Sequence, residues 1–517
     1  MTHRLFLVVA LSGLVTFHAP RADAAPIACD KLAALSLAGT TIQTAQDVAA
    51  GDYTPVGAQP LTSLPAFCRV ALTVAPEIHI EIWLPKDTWN GRYRGEGGGG
   101  YAGSISYGGL AAGLRAGYAT ASTDTGHPAS AGGRFALNPD KTLNMPLIVD
   151  FAERSLHELA IKSKAIIKAY YGNAPAYSYW NGCSTGGRQG LMAAQRFPEE
   201  YDGLVIGAPA INWDRFVPAT LWPAVVMNKT AGGPIAADKL NAATRAAVAA
   251  CDANDGVGDG IINDPRTCTF DPSALVCKSA EESATCLTKQ EASAILKIWN
   301  GPATTSGRRL WFGVERGAAL TALAGSSPFP IAAAHVQYWI HRDPDFDWRT
   351  LSESDFEADL QASQKAFSAV IGTDNPDLSA LHRRGGKMII WHGEADQLIP
   401  PRGTLNYFDR MLAANGGARG VAEFARLYMA PGVGHCAGGD GPSPVGLFDA
   451  VVNWVEGKIA PTTVQASRKR PDGTTLGRPL CPYPTIAKWS GSGSTDAAAN
   501  FACVDNQPSA SSFRIER

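Results

Sequence analysis

Two residues able to do acyl-transfer chemistry stand far apart in this 517-residue chain, each beside a cysteine. Cys183-Ser184 lies in Gly182-Cys183-Ser184-Thr185-Gly186, and His435-Cys436 lies in Gly432-Val433-Gly434-His435-Cys436. A serine hydroxyl is a weak nucleophile until a base takes its proton. If Ser184 Oγ is to hydrogen-bond His435, the two backbones must approach closely. The adjoining cysteines can then come within the roughly 4.4–6.8 Å Cα separation that a disulfide needs. The pattern suggests a catalytic pair with a covalent brace.

A third group must orient the imidazole, and in the chain order serine, acid, histidine it falls between the other two. Asp396 fits, because it follows the apolar run from Lys387 to Trp391, in His392-Gly393-Glu394-Ala395-Asp396. Glu394 is the alternative acid. His392 is a rival base, but it precedes the acid on a strand end. The developing oxyanion needs two N–H donors: Thr185 at the start of the next helix, and one from Gly97-Gly98-Gly99-Gly100-Tyr101. Gly99 is assigned, with Gly98 as the alternative. No Lys-Ser or Lys-Thr follows the glycines, as a phosphate-binding loop would require.

These residues need a strand, a sharp turn and a helix to hold the serine up. A strand is expected over Ala176–Trp180 and a helix over Arg188–Arg196, with GxSxG between them. Apolar spacing predicts a helix over Pro146–Tyr170, and strands are read at Ile78–Leu84, Tyr93–Gly95, Gly203–Ile206 and Lys387–Trp391. Regular strand and helix alternation stops near Trp213 and resumes after Leu378. The expected fold class is therefore α/β, an α/β-hydrolase core with a large inserted lid domain. The expected division is a signal peptide at 1–24, a discontinuous catalytic domain at 25–211 and 381–517, and a lid at 212–380. The tail beyond Ala460 reads as a stapled extension packed on the core.

A formal net charge of -2 gives no reason to expect a nucleic-acid partner. Arg4, an apolar run from Leu5 to Phe17 and Ala22-Asp23-Ala24 have the three parts of a secretory leader, with cleavage expected after Ala24. That run is shorter than the roughly 20 residues that span a bilayer, so no membrane anchor is expected. Export to the periplasm or the medium makes paired thiols the natural reading of the ten cysteines. Proximity favours Cys29 with Cys68, Cys251 with Cys268, Cys277 with Cys286, and Cys481 with Cys503, leaving Cys183 and Cys436. A different connectivity or a zinc site is the alternative, although no CxxC pair occurs. Between Cys251 and Cys268, the run from Asp252 to Ile261 sets carboxylates among glycines, a calcium-loop composition without the closing Glu of an EF-hand.

Taken together, these motifs resemble the tannase and feruloyl esterase family, which includes bacterial mono(2-hydroxyethyl) terephthalate hydrolases. The resemblance spans nearly the whole mature chain. It is carried by Asn90-Gly91-Arg92 before the glycine loop, the Gly182 to Gly187 elbow, the Cys251 to Pro265 loop, the Asp343 to Trp348 segment, His392 to Asp396, and Gly434-His435-Cys436. It implies Ser184, Asp396 and His435 as a triad, a Cys183–Cys436 disulfide and a lid over the pocket. It also implies a structural calcium bound by the side chains of Asp252, Asp255 and Asp259 and by the carbonyls of Val257 and Ile261, and it places His392 in the pocket wall. No organic cofactor is expected. The function expected is that of a secreted serine esterase, a monomer or weak oligomer, acting on a small aromatic ester of feruloyl, galloyl or terephthaloyl monoester type. Trp213, Trp222, Trp311, Trp339 and Trp348 are candidates to stack on the acid, though most buried aromatics fill core. The rival reading is a secreted calcium-dependent binding protein on an inactive hydrolase scaffold.

Overall fold

A nine-stranded mixed sheet runs through the molecule. The computed structural model describes residues 26–278, 285–304 and 306–506; the expected leader lies outside the described residues. In chain order the strands are β1 (Thr40–Val48), β2 (Phe67–Val74), β3 (Ile78–Pro85), β4 (Arg92–Glu96), β5 (Ala119–Thr123), β6 (Tyr177–Cys183), β7 (Gly203–Gly207), β8 (Lys387–Gly393) and β9 (Ala425–Ala430). Their spatial order is β1-β2-β3-β5-β4-β6-β7-β8-β9. The first three pair antiparallel, β3 pairs antiparallel with β5, and from β5 to β9 every pairing is parallel.

The sequence explains the split between the two halves. In β3, Ile78, Ile80 and Ile82 are buried in alternation with the exposed His79 and with Glu81. Glu81 is buried on the other face, where Arg69 of β2 pairs with it (Nε to Oε2 2.9 Å) and Trp83 Nε1 donates to it (3.1 Å). In β8 the run Met388-Ile389-Ile390-Trp391 is buried without alternation, as a parallel strand covered on both faces must be.

The region expected as one helix over Pro146–Tyr170 is helical from Met145 to Tyr171, but Asp150–Arg154 forms a π-turn inside it. Arg188, wholly buried, donates to the carbonyls of Ala152 (Nη1, 2.8 Å) and Phe151 (Nη2, 3.0 Å) in that turn. The widened turn offers acceptors that a regular helix would keep for itself. Among the described residues no carboxylate hydrogen-bonds this guanidinium, and burial pushes it down to about 9.

Neighbouring strands β7 and β8 are joined by the long excursion expected from the sequence. Its described residues form helices and turns, and none enters the large sheet. Most buried apolar side chains of the excursion pack with Tyr101, Phe135 and Phe151 from the α/β part in one core cluster. After β9 the chain adds a helix (Leu447–Gly457), a three-stranded sheet of Ser443–Pro444, Val464–Lys469 and Thr475–Leu480, and a hairpin of Thr485–Trp489 with Phe501–Asp505. All ten cysteines are paired, in the five pairings read from the sequence. Among the described residues, no helix is long and apolar enough to cross a membrane.

Candidate active site

Ser184 stands between β6 and the helix α1 (Thr185–Arg196), with φ 63° and ψ −124°. For a residue with a Cβ this is strained backbone, and it is held from both sides. Ser184 N–H donates to Gly207 O (3.0 Å), and Ser184 O accepts from Arg188 N (3.0 Å) and Ala210 N (3.0 Å). The turn requires glycine at its base. A Cβ on Gly182 would lie 2.5 Å from the Gly186 carbonyl carbon, and one on Gly97 would lie 2.5 Å from Gly186 Cα. The glycine-rich loop after β4 thus packs backbone against backbone on the elbow.

The Cys183–Cys436 disulfide (Cα–Cα 5.9 Å) spans 253 residues and ties the end of β6 to the loop carrying His435. Asp396 follows β8, and its carboxylate binds that loop: His435 Nδ1 lies 2.8 Å from Asp396 Oδ2. Nε2 of His435 is left on the disulfide side, 3.7 Å from Cys436 Sγ. Gln397 Oε1 accepts His435 N–H (3.0 Å), which fixes the loop's height.

Asp396 is buried, with four donors around it. Oδ1 accepts the N–H groups of Leu398 (2.8 Å) and Ile399 (2.9 Å), and Oδ2 takes both His435 Nδ1 and His392 Nε2 (3.0 Å). Burial alone would favour its neutral form. The hydrogen bonds from His392 and His435 outweigh burial and hold the carboxyl well below the usual carboxylate range.

The resemblance expects His392 in the pocket wall; here it lies behind Asp396. Its ring is wholly buried, with Nδ1 on Thr404 Oγ1 (2.8 Å) and Nε2 shared between Asp396 and Ile399 O (3.1 Å). It stands behind the acid and supports it, rather than forming a pocket wall. A strand-end dipeptide such as His392-Gly393 does not reveal which way its ring turns. Glu394, the alternative acid, does not meet His435; it is buried toward Arg266, and burial pushes its carboxyl up to about 8.

Of the two oxyanion candidates in the loop, Gly98 has its N–H on Gln189 Oε1 (2.9 Å). Gly99 is exposed, its N–H is taken by no acceptor among the described residues, and a Cβ there would meet nothing within 4 Å. Of the five tryptophans named as candidates to stack on the acid, Trp213, Trp222, Trp311 and Trp339 are buried in the core of the excursion, and Trp348 is partly exposed.

The end of the carboxylate-rich loop packs on the loop that carries His435: a Cβ on Gly432 would lie 2.9 Å from Ile261 Cγ2. Asp252 Oδ1 accepts N–H from Asp259 (3.1 Å) and Ile261 (3.2 Å), Asp255 Oδ1 from Val257 (2.9 Å), and Asp259 Oδ1 from Ile261 (3.1 Å). Arg478 of the C-terminal sheet forms an ion pair with Asp259. Burial raises the carboxyls of both Asp255 and Asp259, and the negative charge of the neighbouring loop aspartates adds to the effect. Three hard-oxygen carboxylates against one guanidinium fit a divalent cation in charge and donor type. As arranged, they turn to the loop's own N–H groups, and among the described residues no three Asp, Glu, His or Cys side chains converge as a metal cage.

Comparison with known proteins covers almost all of this. Residues 63–504 match the family described as "Tannase and feruloyl esterase". A "Probable feruloyl esterase" of Arthroderma benhamiae is 37% identical over 476 residues, covering 87% of this chain and 88% of that one. "Mono(2-hydroxyethyl) terephthalate hydrolase" of Piscinibacter sakaiensis is 32% identical over 525 residues, covering 86% and 85%. The crystal structure of feruloyl esterase B from Aspergillus oryzae superposes with a TM-score of 0.83 at 29% identity, covering 92% of this chain and 99% of that one.

Proposed function

The chain belongs to the tannase and feruloyl esterase family and is a carboxylic ester hydrolase; from that premise we propose that it is a secreted serine esterase acting on esters of aromatic acids. The observation that carries this reading is the 2.8 Å contact between His435 Nδ1 and Asp396, on a loop joined by disulfide to the residue preceding Ser184.

Asp396 holds the imidazole in the tautomer with its proton on Nδ1, so Nε2 is free to accept. Ser184 Oγ attacks the ester carbonyl as Nε2 takes its proton, and the resulting oxyanion is held by the N–H groups of Thr185 and Gly99. The intermediate collapses to the acyl-enzyme as His435 gives the proton to the leaving alcohol. Water then repeats the sequence and releases the acid. Feruloyl, galloyl and terephthaloyl monoesters are the substrates to try, the excursion between β7 and β8 serving as a lid over the acid. Five disulfides support an oxidising compartment. We further propose that calcium, when bound, is structural and held by the side chains of Asp252, Asp255 and Asp259 and by the carbonyls of Val257 and Ile261.

The test is acid release from methyl ferulate, methyl gallate and a terephthalate monoester by the purified protein and by Ser184→Ala. Turnover of at least one ester is expected, with a loss of about 10³-fold or more in the variant. Equal turnover by the variant would remove the serine mechanism.

A further inference from the structure

The loop assigned to the oxyanion has one internal turn, in which Ala102 N–H donates to Gly99 O (2.7 Å), and is otherwise held by groups outside it. Gly98 N–H donates to Gln189 Oε1 (2.9 Å), and Gly100 O accepts the Thr185 hydroxyl (2.5 Å). Both side chains come from α1, four residues apart and therefore on one face, and both residues are buried to 1% exposure. They take the residues immediately before and after Gly99. Further out, Gly97 N–H donates to Asn181 O (2.9 Å), and His127 Nε2 meets Tyr101 O (2.7 Å). Gly99 is thus the exposed middle of a loop anchored on each side by the helix that begins at the nucleophile.

A glycine run has no side chains to fix its conformation, and its unconstrained backbone would visit many. Oxyanion stabilisation depends on a donor already aimed at the place where charge develops. We propose that Gln189 and the Thr185 hydroxyl are positioning residues of the oxyanion hole. They clamp the loop to α1, so that the serine and both N–H donors move as one body. The inference rests on the serine-esterase reading and extends it. Thr185 has two parts in it, its N–H as a donor to the oxyanion and its hydroxyl as a clamp. The sequence carried no sign of the second part or of Gln189, beyond their spacing of four on a helix.

The test compares Gln189→Met, which keeps length and loses the acceptor, and Thr185→Val, which keeps shape and loses the hydroxyl, with Thr185→Ser, which retains it. kcat and KM are measured on an ester the wild type turns over, with the inhibition constants of an arylboronic acid and of the product acid. The boronate, bonded to Ser184 Oγ, becomes tetrahedral and places an oxygen in the hole. Expected is a 10- to 100-fold fall in kcat for the Met and Val variants with KM within threefold, since an interaction made only in the transition state is lost. Boronate affinity should fall by a similar factor, the product acid should bind as in the wild type, and Thr185→Ser should stay within threefold.

Folded Met and Val variants with kcat and boronate affinity within twofold of wild type would overturn the proposal. So would a loss shared equally by the product acid. If the melting temperature shows Gln189→Met to be unfolded, the Val and Ser pair decides. Failure of the serine reading is seen separately, as retained turnover in Ser184→Ala.

Discussion

Asp396 and Glu394 lie two residues apart on the same loop, and their surroundings drive them in opposite directions. Asp396 has four donors and stays ionised, whereas Glu394 is buried and the charges of Arg266 and Arg402 do not offset its loss of water. Glu394 is therefore neutral in the folded protein up to about pH 8, while in the unfolded chain it titrates near its ordinary value of about 4.3. Between those values the folded state binds more protons, so its stability falls as pH rises. Glu394→Gln, neutral at every pH, should melt close to wild type at pH 5 and above it at pH 8 to 9. A difference that does not widen with pH would contradict the assignment. The contact of His435 with Asp396 and the disulfide that joins the His435 loop to the residue before Ser184 were legible in the sequence, because neighbouring glycines and cysteines mark these residues out. The direction of the His392 ring was not legible, because it depends on where Thr404 and Asp396 lie, nor was the bond from Gly98 to Gln189, because a buried glutamine on a helix has no local signature.

Local chemistry governs the elements that carry these groups, and the elbow was legible because its glycines are demanded by backbone contact at Gly97, Gly182 and Gly186. The π-turn at Asp150–Arg154 was not, since the apolar spacing around it reads as an unbroken helix and Arg188, which partners the carbonyls of Phe151 and Ala152, is distant in sequence. The loop from Asp252 to Ile261 was recognisable by composition. Arg478, which arrives from the C-terminal sheet to balance part of its charge, was not. If calcium completes that loop, EDTA should lower the melting temperature by several degrees and added Ca2+ should restore it, with residual turnover at low temperature. A melting temperature indifferent to both would leave Arg478 as the loop's counter-charge and refute the calcium proposal.

Across the whole molecule, β7 and β8 are neighbours in the sheet although the excursion separates them in sequence, so the elbow and the Asp396 loop are brought together by long-range strand pairing. The interruption was readable as a loss of strand and helix alternation. The antiparallel pairing of β1 to β3 was not, because alternating strands do not name their partners. The Cys183–Cys436 bridge closes a loop of 253 residues across this gap. Closing so long a loop removes much of the unfolded chain's freedom and contributes about 2–5 kcal/mol. The double variant Cys183→Ser with Cys436→Ser should therefore melt several degrees lower and lose turnover, and wild-type values for both would refute the brace. The central claim, that Ser184 carries the acyl group, is tested most directly by intact-protein and peptide mass spectrometry after acid-quenching the enzyme during turnover of an aromatic ester. The account predicts an acyl mass on the peptide containing Ser184, absent in Ser184→Ala. An acyl mass on another residue, or one undiminished in that variant, would contradict it.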